Sequence, residues 1–146
     1  MKEQFVTFEI ALKLKELGFD EPCLACFTDG EIHFEKPNYL LSQQKANYIF
    51  KFRNTILAPL WQQVIDWFLS QYNIWIIVDT SLIKFYKNDE LQPSKFQFVI
   101  EDLNNRDADY MFHSADEELF YFDYKHAREQ AILKAIELCK KNYHKK

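Results

Sequence analysis

The residues whose types could do chemistry fall into four groups. Cys23 and Cys26 stand in a C-x-x-C spacing, which zinc ribbons and redox enzymes use. A ribbon needs a second such pair, and none follows. On a strand, positions three apart also face opposite sides and cannot share one ion. Cys26 with His33 is a different arrangement. If the residues between them close a hairpin, thiol and imidazole become cross-strand neighbours, the contact that activates a thiol. Glu31 and Glu35 then flank them, and carboxylates stabilise a protonated imidazole but not a thiolate. The simpler expectation is a sheet surface that faces solvent or is covered by a partner chain.

The third group is acidic: Asp107, Asp109, Asp116, Glu117, Glu118 and Asp123. Hard divalent cations take such oxygen ligands from loops. The spacing and glycine of a calcium-binding EF-hand loop are missing, so the expectation is a solvated surface suited to a basic partner, with no metal and no cofactor. The fourth group is basic and aromatic. Residues 36–54 hold Lys36, Lys45, Lys51 and Arg53 and no acid, interleaved with Tyr39, Tyr48, Phe50 and Phe52. Bases stack on rings beside such cations, and Lys45, Tyr48, Lys51, Phe52 and Arg53 carry a nucleic-acid reading. The chain's pI of about 5.6 lacks the basic footprint of a dedicated nucleic-acid binder, so that reading is the alternative.

Rings are the distinctive feature of the composition. Fourteen Phe, eight Tyr and three Trp make 17% of the 146 residues. Each ring buries about 150–250 Å², more than a chain this size has interior to hold, so part of the ring surface is expected outside. By periodicity Trp61 and Trp75 belong to the core. Tyr110, Phe112, Phe120, Tyr121, Phe122 and Tyr124 are harder to bury together. With Trp67, at the margin of a helix face, they are the expected partner-binding residues.

Several classes are excluded. The two glycines, Gly18 and Gly30, are too few for a phosphate-cradling loop, and no Gly-x-Ser-x-Gly elbow is present. Three cysteines, an odd count, do not make a disulfide framework. Acids near the N-terminus replace the apolar core of a signal peptide, and the longest clean apolar run, Ile74–Val78, is far short of the roughly 20 residues of a membrane span. The expected location is the cytoplasm. Net charge is −4, with one Arg against eight acids over residues 101–123.

The elements that must position these groups read as follows. Ile10, Ala11, Leu14 and Leu17 make one apolar stripe, predicting a helix over 7–17 stopped by Gly18. Asp29-Gly30 predicts a type I′ turn between Cys23–Thr28 and Glu31–Glu35, with Phe27 facing Ile32 and Ala25 facing Phe34 on the core side. Tyr48–Phe52 reads as a short strand. A helix follows over about 57–71, then strands at Ile74–Asp79, Leu82–Lys87 and Lys95–Ile100, the first apolar throughout and so read as central. Ser114–Glu117 fits a capping box for a short helix; the alternative, favoured here, is an edge strand over Glu118–Phe122. The last helix runs over about 124–141 with Asp123 as N-cap, packing through Ala127, Ala131, Ala135 and Leu138. The order is α-β-β-α-β-β-β-(β)-α. It predicts an α+β fold, a single domain over 1–146 with a frayed basic tail at 141–146. Two to three helices are expected to pack on one face of an antiparallel sheet of about five strands.

Three of these helical stretches, Thr7–Asp20, Ala58–Phe68 and Ala127–Leu138, resemble short proteins encoded by phages and mobile elements of Bacteroides-type gut bacteria. The resemblance covers about a quarter of the chain and lies in amphipathic helices, so it implies a phage-type setting and supplies no catalytic residues. The expectation from residues and resemblance together is a non-enzymatic binding protein that associates with a host or phage protein or with copies of itself as a homo-oligomer. A nucleic-acid accessory protein using residues 36–53 is one alternative. A small-molecule or nucleotide sponge with an aromatic pocket is another.

Overall fold

Asp29 and Gly30 take φ of 53° and 83°, the two left-handed residues that a type I′ turn requires. They join β1 (Ala25–Thr28) to β2 (Glu31–Phe34) in the predicted register, with Cys26 opposite His33 and Phe27 opposite Ile32. The computed structural model describes residues 2–34, 39–51, 54–81, 84–105 and 112–143. Its contacts cluster in two units, Met1–Val64 with Cys139–Lys146, and Ile65–Leu138.

In the first unit a further strand, β3 (Thr55–Ala58), pairs with the other side of β1 and places Leu57 opposite Cys26. The sequence reading gave Leu57 and Ala58 to a helix. All four residues of β3 are buried, so no alternation marks them as a strand. Helix α1 (Phe8–Leu17) begins where Thr7 Oγ1 accepts the Ile10 N–H at 3.3 Å, and ends at Gly18 with φ 104°. Its Phe8 ring meets Phe27 edge-on at 5.6 Å, covering one face of the sheet. Helix α2 (Gln43–Ile49) is capped by Ser42 and serves the other face. Its Gln43 side chain donates to the Thr55 carbonyl at 2.9 Å, and Phe50 at its C-cap meets the His33 ring at 5.7 Å. In place of the strand read at Tyr48–Phe52, Tyr48 and Ile49 end this helix, Phe50 caps it and Lys51 lies in the turn that follows; Phe52 lies outside the described residues. With helices on both sides, β1 is buried at every position.

Helix α3 runs Trp61–Tyr72, starting after Pro59. In the second unit β4 (Ile74–Thr80), β7 (Phe96–Asp102) and β8 (Phe112–His113) form an antiparallel sheet in the order β4-β7-β8. The central strand is therefore β7, not the apolar run of β4, and Trp75 on the edge strand is 47% exposed instead of in the core. A separate hairpin pairs β5 (Tyr86–Lys87) with β6 (Glu90–Leu91). Its two turn residues, Asn88 and Asp89, have φ of 51° and 63°.

Among the described residues three sheets replace the single five-stranded one, while the α+β class stands. Ser114–Glu117 is a 3-10 turn, not a boxed helix, because the Ser114 hydroxyl is taken by the Phe98 N–H at 3.0 Å. The edge strand read at Glu118–Phe122 reduces to one bridge, Tyr121 with Phe96. Helix α4 (Tyr124–Tyr143) starts where Asp123 Oδ1 accepts the His126 N–H at 2.7 Å and buries Ala127, Ala131 and Ala135, with Leu138 only half-buried.

Gly30 is the position where one side chain tests this arrangement. Gly30→Val forces a β-branched residue into the left-handed region and is expected to cost about 1–2 kcal/mol in urea unfolding, whereas Gly30→Asn costs distinctly less.

Candidate functional site

The aromatic segment is positioned by β7. Phe96, Phe98 and Ile100 project from one face of that strand. Phe112 joins them from β8 opposite Ile100, and Tyr121 through its bridge to Phe96. The Phe98 ring is stacked with Phe112 at 5.5 Å and with Tyr121 at 5.9 Å. Helix α4 covers the group: His126 meets the Tyr121 ring at 5.0 Å, Tyr124 meets Phe96 at 6.0 Å, and Lys134 Nζ lies 4.7 Å from the Phe112 ring centre. Burial raises the Tyr121 hydroxyl pKa above its usual value, and burial lowers the guanidinium pKa of Arg128, which lies over the Tyr124 ring. Phe112 and Tyr121 thus spend their ring faces on holding α4 to the sheet.

What remains outward is narrower than the sequence reading. Phe122 is 84% exposed, and Tyr124 and Leu119 are exposed beside it in the chain. Phe120 turns inward and meets Phe85 edge-on at 5.0 Å. Lys95 Nζ lies 4.2 Å from the Phe85 ring centre and 5.2 Å from that of Phe122. Asp116, Glu117, Glu118 and Asp123 are exposed along the same stretch. Trp67 is not part of this surface: it is 3% exposed, with its ring against Phe68 and Tyr72. Tyr110, Asp107 and Asp109 lie outside the described residues.

Phe85, Lys95, Phe96 and Phe98 were missed as members of the site. A signal for Phe85 existed in Asn88-Asp89, two residues that tolerate left-handed backbone and so bring Phe85 back beside Gln92.

The basic stretch forms a second candidate on α2. Tyr48 is 71% exposed with Lys51 Nζ 4.7 Å from its ring centre, and Lys45 Nζ lies 5.1 Å from that of Tyr39. Phe52, Arg53 and Lys36 lie outside the described residues.

The thiols are enclosed. Cys26 and His33 are direct neighbours in register as expected, but the anticipated open sheet surface is covered. The Cys26 sulfur lies 4.0 Å from the Thr28 hydroxyl. Cys23 donates to the Glu21 carbonyl at 3.3 Å, and burial pushes its pKa up to about 12 against a smaller lowering by the Gln63 hydrogen bond. Among the described residues no three His, Cys, Asp or Glu side chains come together as a metal site needs, and no helix is long and apolar enough to cross a membrane.

Comparison of the chain with protein families, with curated proteins and with solved structures gives no match.

The Cys23 environment has a measurable sign. The folded pKa lies above the ordinary value of 9.0, so the neutral thiol is the form that folding favours. Stability from this source is whole below about pH 9 and is lost as pH rises towards about 12, because the unfolded chain releases its proton first. Native protein at pH 8 should leave Cys23 unmodified by iodoacetamide, with full modification in denaturant, read by mass spectrometry. The alkaline decline in unfolding free energy should be shallower in Cys23→Ala.

Proposed function

We propose that the chain is a non-enzymatic binding protein that acts by protein–protein association, through the aromatic surface centred on Phe122. One observation carries this reading: a phenylalanine ring 84% open to water, with the Lys95 ammonium 5.2 Å from its centre, follows directly in the chain on Tyr121 of the packed ring cluster. Aromatic rings are enriched among the anchors of binding hot spots. The acidic residues beside it supply a charged rim, as interfaces commonly have. The resemblance of three helical stretches to phage and mobile-element proteins supports a partner in a bacterial host cytoplasm, with a second copy of the chain as the other occupant.

The test separates surface from scaffold. Phe122→Ser is expected to leave stability within about 0.5 kcal/mol and to abolish both capture of a bacterial protein and any concentration-dependent mass in light scattering. Trp67→Ala is expected to cost about 3–5 kcal/mol, read by denaturant unfolding. Capture and mass that are indifferent to Phe122 overturn the reading.

A second reading has its own observation, the exposed Tyr48 ring with Lys51 beside it on a segment without acids. It makes α2 a platform for single-stranded nucleic acid. Salt-sensitive binding of an oligothymidylate, lost in Tyr48→Ala and Lys51→Glu, would favour it; no binding at low salt excludes it.

A further inference from the structure

Lys95 shows what the Phe122 surface accepts. Its ammonium is within cation–π distance of two rings, 4.2 Å from the centre of Phe85 and 5.2 Å from that of Phe122. Phe120 braces Phe85 edge-on, so this wall of the slot is set by packing, while the Phe122 wall stands in solvent. Among the described residues no carboxylate is paired with Lys95. Its hold is therefore ring contact at the end of a flexible four-carbon stem, the kind of contact another cation can take over.

The charge around the slot favours that exchange. Residues 112–123 carry Asp116, Glu117, Glu118 and Asp123 and no Lys or Arg. All four acids are exposed. Asp123 spends one oxygen on the N-terminus of α4, and four exposed carboxylates in twelve residues make a field that draws in positive groups.

We infer that the slot between Phe85 and Phe122 receives an Arg or Lys side chain from a basic segment of a partner protein, with Lys95 displaced as it enters. This rests on the reading of the Phe122 surface as a protein-docking site and names the chemistry of its partner. Arginine is the better fit, because its planar guanidinium stacks on ring faces and pairs with carboxylates in the same approach.

The test uses the full chain and a short fluorescent peptide of alternating Gly and Arg, followed by anisotropy, with Gly–Lys and Gly–Glu peptides alongside. The Arg peptide should bind, the Lys peptide more weakly, and the Glu peptide not at all. Phe122→Ser should weaken Arg-peptide binding by about threefold or more. Lys95→Met should tighten it beyond Lys84→Met, which removes the same charge from an exposed position of the same segment. Thermal melts check that each variant folds. Equal effects of the two lysine changes reduce the slot to net charge and overturn the inference. If host-protein capture depends on Phe122 while Arg-peptide binding does not, the slot falls and the docking surface stands. If neither depends on Phe122, both fall.

Discussion

Strand β7 is paired along both edges, and its pairing at Phe98 holds the second unit's aromatic segment in place. The residues whose backbone N–H groups face 112–121 meet three different partners. Phe96 exchanges two backbone bonds with Tyr121, at 2.7 and 2.9 Å, and Ile100 lies opposite Phe112. Between them, where the chain turns away as a 3-10 helix, the Ser114 hydroxyl stands in for a strand and accepts from Phe98. A buried N–H left bare at that point would cost about 1–3 kcal/mol, so the segment follows the strand instead of leaving it. With Tyr121 held against the strand, the chain bends at Phe122, whose ring is left exposed.

The first unit shows how enclosure changes the setting of a thiol. β1 carries one of the C-x-x-C thiols and the neighbour of His33, yet sheet pairing on both edges and helices on both faces leave its side chains without water. Burial likewise pushes the pKa of Cys23, just before β1, up to about 12, so that thiol keeps its proton, and a nucleophile or metal ligand must lose it. Residue types that suggest reactivity in one dimension become small apolar packing in three.

Legibility followed local physics. The Asp29-Gly30 hairpin and its register, the caps at Thr7 and Asp123 and the stop at Gly18 each depend on a few adjacent residues, and each was readable. β3 was not, because burial on both faces erases the alternation that identifies a strand. The hairpin at 86–91 carried only the weaker turn signal of Asn88-Asp89, with no glycine in its left-handed turn. Trp67 and Trp75 exchanged places, one enclosed and one on a strand edge, since pairing order within a sheet is set by distant segments that periodicity does not see. For the site, the ring-rich segment was legible as a run of residue types. The inward turn of Phe120 and the slot at Lys95 needed the hairpin to bring Phe85 across.

The division of the chain also sets an order of events during synthesis. The first unit takes residues from before position 65 and from position 139 onward, and the second is one uninterrupted stretch between them. Cys139 is fully enclosed, and Lys140 bonds Glu16 at 3.0 Å, so the late residues help to complete the early ones. A ribosome adding roughly 5–20 residues per second needs on the order of 4–15 s to travel from one portion to the other. Through that interval α1 waits for its last companion, and nascent-chain chaperones have their opening there.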